Sequence, residues 1–201
     1  MTLVIGLVTP RGVVIGADGL TTIGGIQLPT QKVHAIGQVY GCGLAGHGHL
    51  DEVVRQALQR SPLAQDAPKA RTAEQAISTA RDALRNATVA YLQRVAWVRE
   101  RPIDEQIGRA EAIFGGLGFD GPFLVKLDNR GNLFPPVHPN YTAIGSGAQA
   151  ALLLIQAYSA YDYGTHPLDT SVLLVKRVLD QVIAAIPEIG GETAILAISE
   201  Q

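Results

Sequence analysis

The hydrophobic period of this chain switches in blocks, and that grouping constrains its fold more than any other feature. Thr2 to Val8 and Val13 to Ala17 are short apolar, β-branched runs on either side of Pro10-Arg11-Gly12, which predicts a hairpin. Two more strands are predicted at Lys32 to Gly37 and Val39 to Leu44. Between the pairs lies a Gly- and Thr-rich connection, Asp18 to Gln31. A connection that long inside a compact domain is more often functional than not. From Leu50 the period becomes helical: Val53, Val54, Ala57 and Leu58 share a face, with a stop before Pro62. After a polar loop, Ser61 to Arg71, Thr72-Ala73-Glu74-Gln75 has capping-box spacing, and an apolar stripe from Ala76 through Leu84 to Val95 predicts a long helix reaching toward Trp97.

Strand signals then return at Ala110 to Leu117, Phe123 to Leu127, Asn132 to Phe134 and Tyr141 to Ile144, with turns at Asp120-Gly121-Pro122 and Asn129-Arg130-Gly131. Two helices follow, Ala148 to Tyr161 and Thr170 to Ile186, the second capped by Asp169 or Thr170 and stopped by Pro187. Thr193 to Ile198 is the last strand. Strands and helices that come in groups argue against a Rossmann or barrel fold. They predict antiparallel sheets covered by helices, an α+β layered architecture. No repeat or composition break divides the chain, so residues 1–201 read as a single domain.

Composition narrows the function classes. Only 17% of residues are charged against 47% hydrophobic, more apolar content than one small monomer needs, which points to an oligomer. The net charge of -2 gives no electrostatic footprint for nucleic acid, and no run approaches the apolar length of a membrane span. No leader pattern precedes the first strand. The lone Cys42, in an apolar run, reads as a buried hydrophobe in a reducing compartment, so the expected location is cytoplasmic.

Several simple chemistries fail on their residues. His47-Gly48-His49 lacks a nearby Cys or carboxylate cluster, so no metal is assigned. Gly145-Ser146-Gly147 lacks the last glycine of a nucleophile elbow, because Gln149 stands there. The Gly-rich pieces Gly115 to Gly118 and Gly43 to Gly48 lack the Lys-Ser/Thr of a phosphate loop. No cofactor is expected. Thr2 remains. With Met1 removed it would carry a free α-amine, with an ordinary pKa near 7.7–8.0, beside its own hydroxyl. Nucleophile and general base would then share one residue.

Thr2 at the first strand, Gly12-Val13-Val14-Ile15-Gly16-Ala17-Asp18-Gly19 and the Thr21-Thr22 that follow, Gln31-Lys32-Val33, Gly43-Leu44-Ala45-Gly46-His47-Gly48 and Ala143-Ile144-Gly145-Ser146-Gly147 together resemble the proteasome β-subunit and HslV peptidase superfamily. Asp-Gly after the second strand and Ile-Gly-Ser-Gly are more like HslV. Extra length around Ser61 to Arg71 and Trp97 to Arg109 suggests the betaproteobacterial proteasome-homologue branch derived from it. The resemblance implies an N-terminal-nucleophile hydrolase: a four-layer αββα sandwich of two antiparallel sheets flanked by helices. It also implies a threonine-type endopeptidase, assembled from identical subunits in two stacked rings around a chamber. Peptides or unfolded proteins would be its substrates, and an ATP-dependent unfoldase its partner.

Residue by residue, the resemblance makes Thr2 the nucleophile and Lys32 the cation that lowers the pKa of the groups beside it. Asp18 orients Lys32, the Gly46 N–H forms the oxyanion site, and Ser146 supports the α-amine. Thr21 and Thr22 would pair substrate backbone as an added strand. Thr30, His34, Leu44, Gly48 and Glu52 would line a roomy, mainly apolar pocket for the residue before the scissile bond, with Glu52 and His34 leaving room for basic or polar residues there. Two departures from the family pattern stand out. The segment Ile186 to Gly191 lacks an Asp and a Ser that many members carry before the last strand, where Glu188 is a possible substitute. The Asp18–Lys32 loop is shorter than in HslV. A catalytically silent ring subunit or scaffold is the alternative, since with Met1 attached the Thr2 nitrogen is an amide. A small-molecule amidase is a third reading, disfavoured by the Thr-rich loop.

Overall fold

The computed structural model of the chain describes residues 2–23, 26–46, 48–67, 70–99, 110–134, 138–158 and 167–199. The first hairpin forms as expected. β1 (Val4–Thr9) and β2 (Gly12–Ala17) pair antiparallel from Val4↔Ala17 to Thr9↔Gly12. A small hairpin follows, β3 (Leu20–Ile23) with β4 (Ile26–Pro29), in the stretch read from sequence as a long connection. Its strand character was obscured by Gly and Pro, and β4 buries none of its side chains, so there is no apolar alternation to read.

β5 (Val33–Ile36) and β6 (Tyr40–Ala45) lead into α1 (Gly48–Arg60), a 3₁₀ turn at Pro62–Gln65, and α2 (Ala73–Arg99). Thr72 and Gln75 close the predicted capping box reciprocally: the Thr72 N–H donates to Gln75 Oε1 at 3.1 Å and the Gln75 N–H to Thr72 Oγ1 at 3.3 Å. The chain continues with β7 (Glu111–Gly118), β8 (Gly121–Asp128), β9 (Leu133–Phe134) and β10 (Tyr141–Ile144), then α3 (Ala148–Tyr158), α4 (Leu168–Ala185) and β11 (Ala194–Ser199). α4 begins earlier than predicted. Pro167, with extended backbone, is its N-cap, and neither Asp169 nor Thr170 caps it. The end of the predicted third helix at 159–161, and most of the 97–109 extension, lie outside the described residues.

The larger strands form two antiparallel sheets, one of order β10-β1-β2-β11 and one of order β5-β6-β7-β8-β9. α1 and α2 pack on one face of the five-stranded sheet around Tyr40, Phe114, Leu58, Leu63 and Leu84. The rings of Tyr40, Phe114 and Phe123 meet there with centroids 5.6–6.2 Å apart. α3 and α4 pack on the four-stranded sheet through Ile155, Val175, Val178 and Leu179 against Ile5, Leu7 and Val14. Val4, Val13 and Ile15 of the four-stranded sheet also join Val33, Ala45 and Ile113 of the five-stranded one in a third buried cluster. Gly43 shows how close that approach is, because a Cβ there would lie 2.3 Å from Val4 Cγ1 and 2.9 Å from Ile15 Cγ2. Strand β2 is consequently buried along its whole length, which explains its unbroken apolar run. The expected α+β class, antiparallel sheets covered by helices, is the architecture observed.

Candidate active site

The β1–β2 register brings Leu3 and Asp18 opposite each other just beyond the last ladder pair. The Asp18 N–H donates to the Leu3 carbonyl at 3.1 Å, and the Asp18 carboxylate turns back to accept the Leu3 N–H at 2.8 Å. The same Oδ1 accepts from Lys32 Nζ at 2.7 Å. Asp18 Oδ2 accepts the N–H groups of Leu20 and Gly190, each at 3.4 Å. Lys32, immediately before β5, also donates to the Leu20 carbonyl. Both side chains are out of solvent, Asp18 with 1% and Lys32 with 3% exposure. Burial pushes the Lys32 ammonium below the usual lysine range. The hydrogen bond and charge of Asp18 oppose that shift, and the field of Asp51 adds a smaller opposing push. The result is a desolvated cation, neutralised on one side, one carboxylate away from the Thr2–Leu3 peptide.

Thr2 is held from the other flank. β10 pairs with β1 from Val4↔Ile144 onward, so the Gly145-Ser146-Gly147 turn runs beside Thr2. The Thr2 N–H donates to Ser146 Oγ at 3.1 Å, and Ser146 Oγ and the Gly147 N–H each donate to the Thr2 carbonyl at 3.3 Å. Gly145 has φ +89°, and a Cβ there would lie 2.3 Å from the Thr2 carbonyl oxygen. Only glycine combines that left-handed backbone with so close an approach. Gly46 is exposed in the short connection between β6 and α1, two residues past Leu44, whose N–H bonds the Lys32 carbonyl at 2.9 Å. The Asp18–Lys32 pair bonded to Leu3 and the Ser146 bonded to Thr2 therefore meet at the Thr2–Leu3 peptide, with Gly46 just past the end of β6.

The residues expected to receive substrate lie on β3, just after β4, on β5 and β6, and on α1. Thr21 is half-buried on β3, and Thr22 follows it on the same strand. Thr30 is exposed, its N–H bonded to the Gly19 carbonyl at 2.9 Å. Gly48 opens α1. His34 is half-buried on β5 opposite Cys42, two residues from Lys32 and so on the same sheet face. Burial and the Arg55 guanidinium hold its imidazole below the usual histidine range. Glu52 is exposed, and hydrogen bonds from Arg55 and Gln56 pull its carboxyl down to about 2. Leu44 departs from expectation. It is 2% exposed and packs in the helix-side cluster with Val54 and Cys42, so it belongs to the core beneath such a pocket rather than to an open wall. Burial pushes the Cys42 thiol up to about 12, as suits an inert apolar filler.

Glu188 also departs from expectation, being exposed, while the 186–191 segment meets the site through its backbone. The Gly190 N–H donates to Asp18, and the Gly190 carbonyl accepts from the Gly19 N–H at 2.9 Å. That contact and the Leu20 carbonyl are main-chain contributions, which no residue type announces. Asp51, in the first turn of α1, was legible only as a helix-start acid. Among the described residues no group of three or more His, Cys, Asp or Glu is gathered for a metal, and no helix is long and apolar enough to cross a membrane.

The two packed antiparallel sheets carry Thr2 just ahead of β1. No protein-family model matches the sequence. Among solved structures the chain is similar to Anbu. Against the (Gly-1) mutant of Anbu from Hyphomicrobium sp. strain MC1 the TM-score is 0.73 at 17% identity, covering 99% of this chain and 82% of that one. Against Anbu from Yersinia bercovieri, described as an ancestral beta-subunit, the TM-score is 0.72 at 16% identity, covering 98% and 82%. The likeness is one of fold.

Proposed function

We propose that this chain is a threonine-type endopeptidase subunit with the αββα sandwich of the N-terminal-nucleophile hydrolases, working once Met1 is removed. The observation that carries the reading is the buried Lys32–Asp18 pair, tied through Asp18 Oδ1 to the Leu3 amide while Ser146 and Gly147 hold Thr2 from the opposite side. A structural ion pair alone needs no such convergence on the first residues of β1. In this mechanism Thr2 Oγ attacks the scissile carbonyl and its proton passes to the Thr2 amine, directly or through water. The Lys32 charge favours the deprotonated hydroxyl, and the Gly46 N–H stabilises the tetrahedral oxyanion. Collapse releases the amine half of the substrate and leaves an ester on Thr2. Water then hydrolyses that ester by the same proton path. Thr21 and Thr22 offer backbone for an extended substrate strand.

The assembly belongs to the same reading: identical subunits in two stacked rings, in the cytoplasm, with unfolded chains delivered by an ATP-dependent unfoldase. Exposed Leu153 on α3 and Leu173 on α4, 61% and 67% accessible in the isolated subunit, are surfaces that such packing would cover. Hydrolysis of unstructured peptides by protein lacking Met1, lost in Thr2→Ala, tests the activity. Equal hydrolysis by both proteins would overturn it. Quantitative retention of Met1 in protein from its own host would instead favour a silent ring subunit.

A further inference from the structure

The threonine-peptidase reading assigns Glu52 to the pocket for the residue before the scissile bond, where a carboxylate would ordinarily select a basic residue. Its surroundings oppose that. Arg55, one turn along α1, donates from Nε to Glu52 Oε2 at 2.8 Å and from Nη2 to Oε1 at 2.5 Å, while Gln56 Nε2 donates to the same Oε1 at 2.5 Å. The guanidinium is fixed from its other side by Gln59, whose Oε1 accepts from Nη1 at 2.6 Å. These partners sit three and four residues apart, on one helix face. The charge of Arg55 is felt by both His34 and Cys42, a cross-strand pair on the helix-covered face of the β5–β6 ladder. His34 is held below its usual range, Glu52 is ionised and Arg55 is protonated, so the charges along this wall cancel near neutral pH.

A lysine or arginine entering the pocket would find the carboxylate already occupied in a bidentate fork and a fixed guanidinium of its own sign beside it. The geometry points to Arg55 as a specificity-determining residue: clamped on Glu52, it turns an anionic wall into a neutral one and directs the pocket to apolar residues before the scissile bond. This rests on the threonine-peptidase reading above. The test uses two fluorogenic peptides that differ only in Leu or Arg before the scissile bond, with wild-type protein lacking Met1, Arg55→Met, and Arg55→Met combined with Glu52→Gln.

The wild type should favour Leu. Arg55→Met should raise the Arg-to-Leu ratio of kcat/KM by up to about fivefold, the upper worth of a part-exposed ion pair. Arg55→Gln should move the ratio in the same direction, and the double variant should bring it back near wild type. A wild type that already favours Arg, or a ratio unmoved by Arg55→Met while both peptides are cleaved, overturns the role of Arg55 alone. Absence of cleavage of either peptide by the wild type overturns the peptidase reading and this role with it.

Discussion

Asp18→Asn is the most informative single change, because Asp18 is at once a hydrogen-bond hub and the counter-charge of Lys32. Its carboxylate accepts from Leu3, Lys32, Leu20 and Gly190. An asparagine of the same shape keeps an oxygen for Leu3 and Lys32 but turns an NH2 toward the N–H groups of Leu20 and Gly190, donor against donor. Lys32 meanwhile stays 3% exposed with its counter-charge gone, bonded only to neutral amide oxygens. Removing one member of a buried pair costs about 3–5 kcal/mol. For a chain of this length each kcal/mol moves Tm by about 2–4 °C, so the variant should melt roughly 6–20 °C below wild type. Thermal unfolding at one fixed protein concentration reads this directly, with concentration held constant because association shifts Tm. Adding Lys32→Met removes the stranded cation and should restore most of the loss. A Tm for Asp18→Asn within about 2 °C of wild type, or a double variant less stable than Asp18→Asn alone, would contradict a buried, charge-paired Asp18.

Three further outcomes follow from the geometry. Gly145→Ala must accommodate φ +89° and a contact of 2.3 Å with the Thr2 carbonyl, so urea unfolding should show a loss of about 2 kcal/mol or more, and an unchanged midpoint would contradict the contact. Tyr40 is buried, its hydroxyl pushed up to about 12 by burial first and then by Asp66. Its unfolded-state pKa is near 10, so between these values the unfolded chain loses a proton that the folded chain keeps. Stability contributed below pH 10 is then lost as pH rises, at up to about 1.4 kcal/mol per pH unit. Urea titrations between pH 9 and 11 should be less steep with pH for Tyr40→Phe, and equal slopes would contradict this. Thr72→Ala removes the acceptor for the Gln75 N–H and should cost about 1 kcal/mol, a Tm drop of about 2–4 °C in a melting experiment.

Where side-chain periodicity or capping chemistry decides the backbone, sequence and structure coincide. β10 spans Tyr141–Ile144 as read, and the Thr72–Gln75 box opens α2 where the spacing placed it. The pairing of Asp18 with Lys32 was visible through the family resemblance, and the structure supplies its physical basis, the hairpin register that returns Asp18 to Leu3. Other features depend on information no local window carries. β4 is exposed along its length, preceded by Gly24-Gly25 and ended by Pro29, so nothing alternates. The cap of α4 fell to Pro167, whose fixed φ already suits the entry to the helix, instead of a side-chain acceptor two or three residues later. Leu44 followed the strand alternation of β6 into the helix-side core, a consequence of which face α1 covers. Gly190 reaches Asp18 across 172 residues through its N–H alone, an atom every non-proline residue possesses.

In the proposed mechanism Thr2 becomes a free N-terminal nucleophile, joined through the Leu3 amide to the Asp18–Lys32 pair. Intact-mass spectrometry of protein from its own host, before and after incubation with a peptide epoxyketone that reacts with both the hydroxyl and the amine of an N-terminal threonine, tests it in one sample. The protein should show a mass lacking Met1 that shifts by one inhibitor per subunit, with no shift in Thr2→Ala. A Met1-free wild type that takes up no inhibitor, or a Thr2→Ala protein that takes up the same amount, would contradict it.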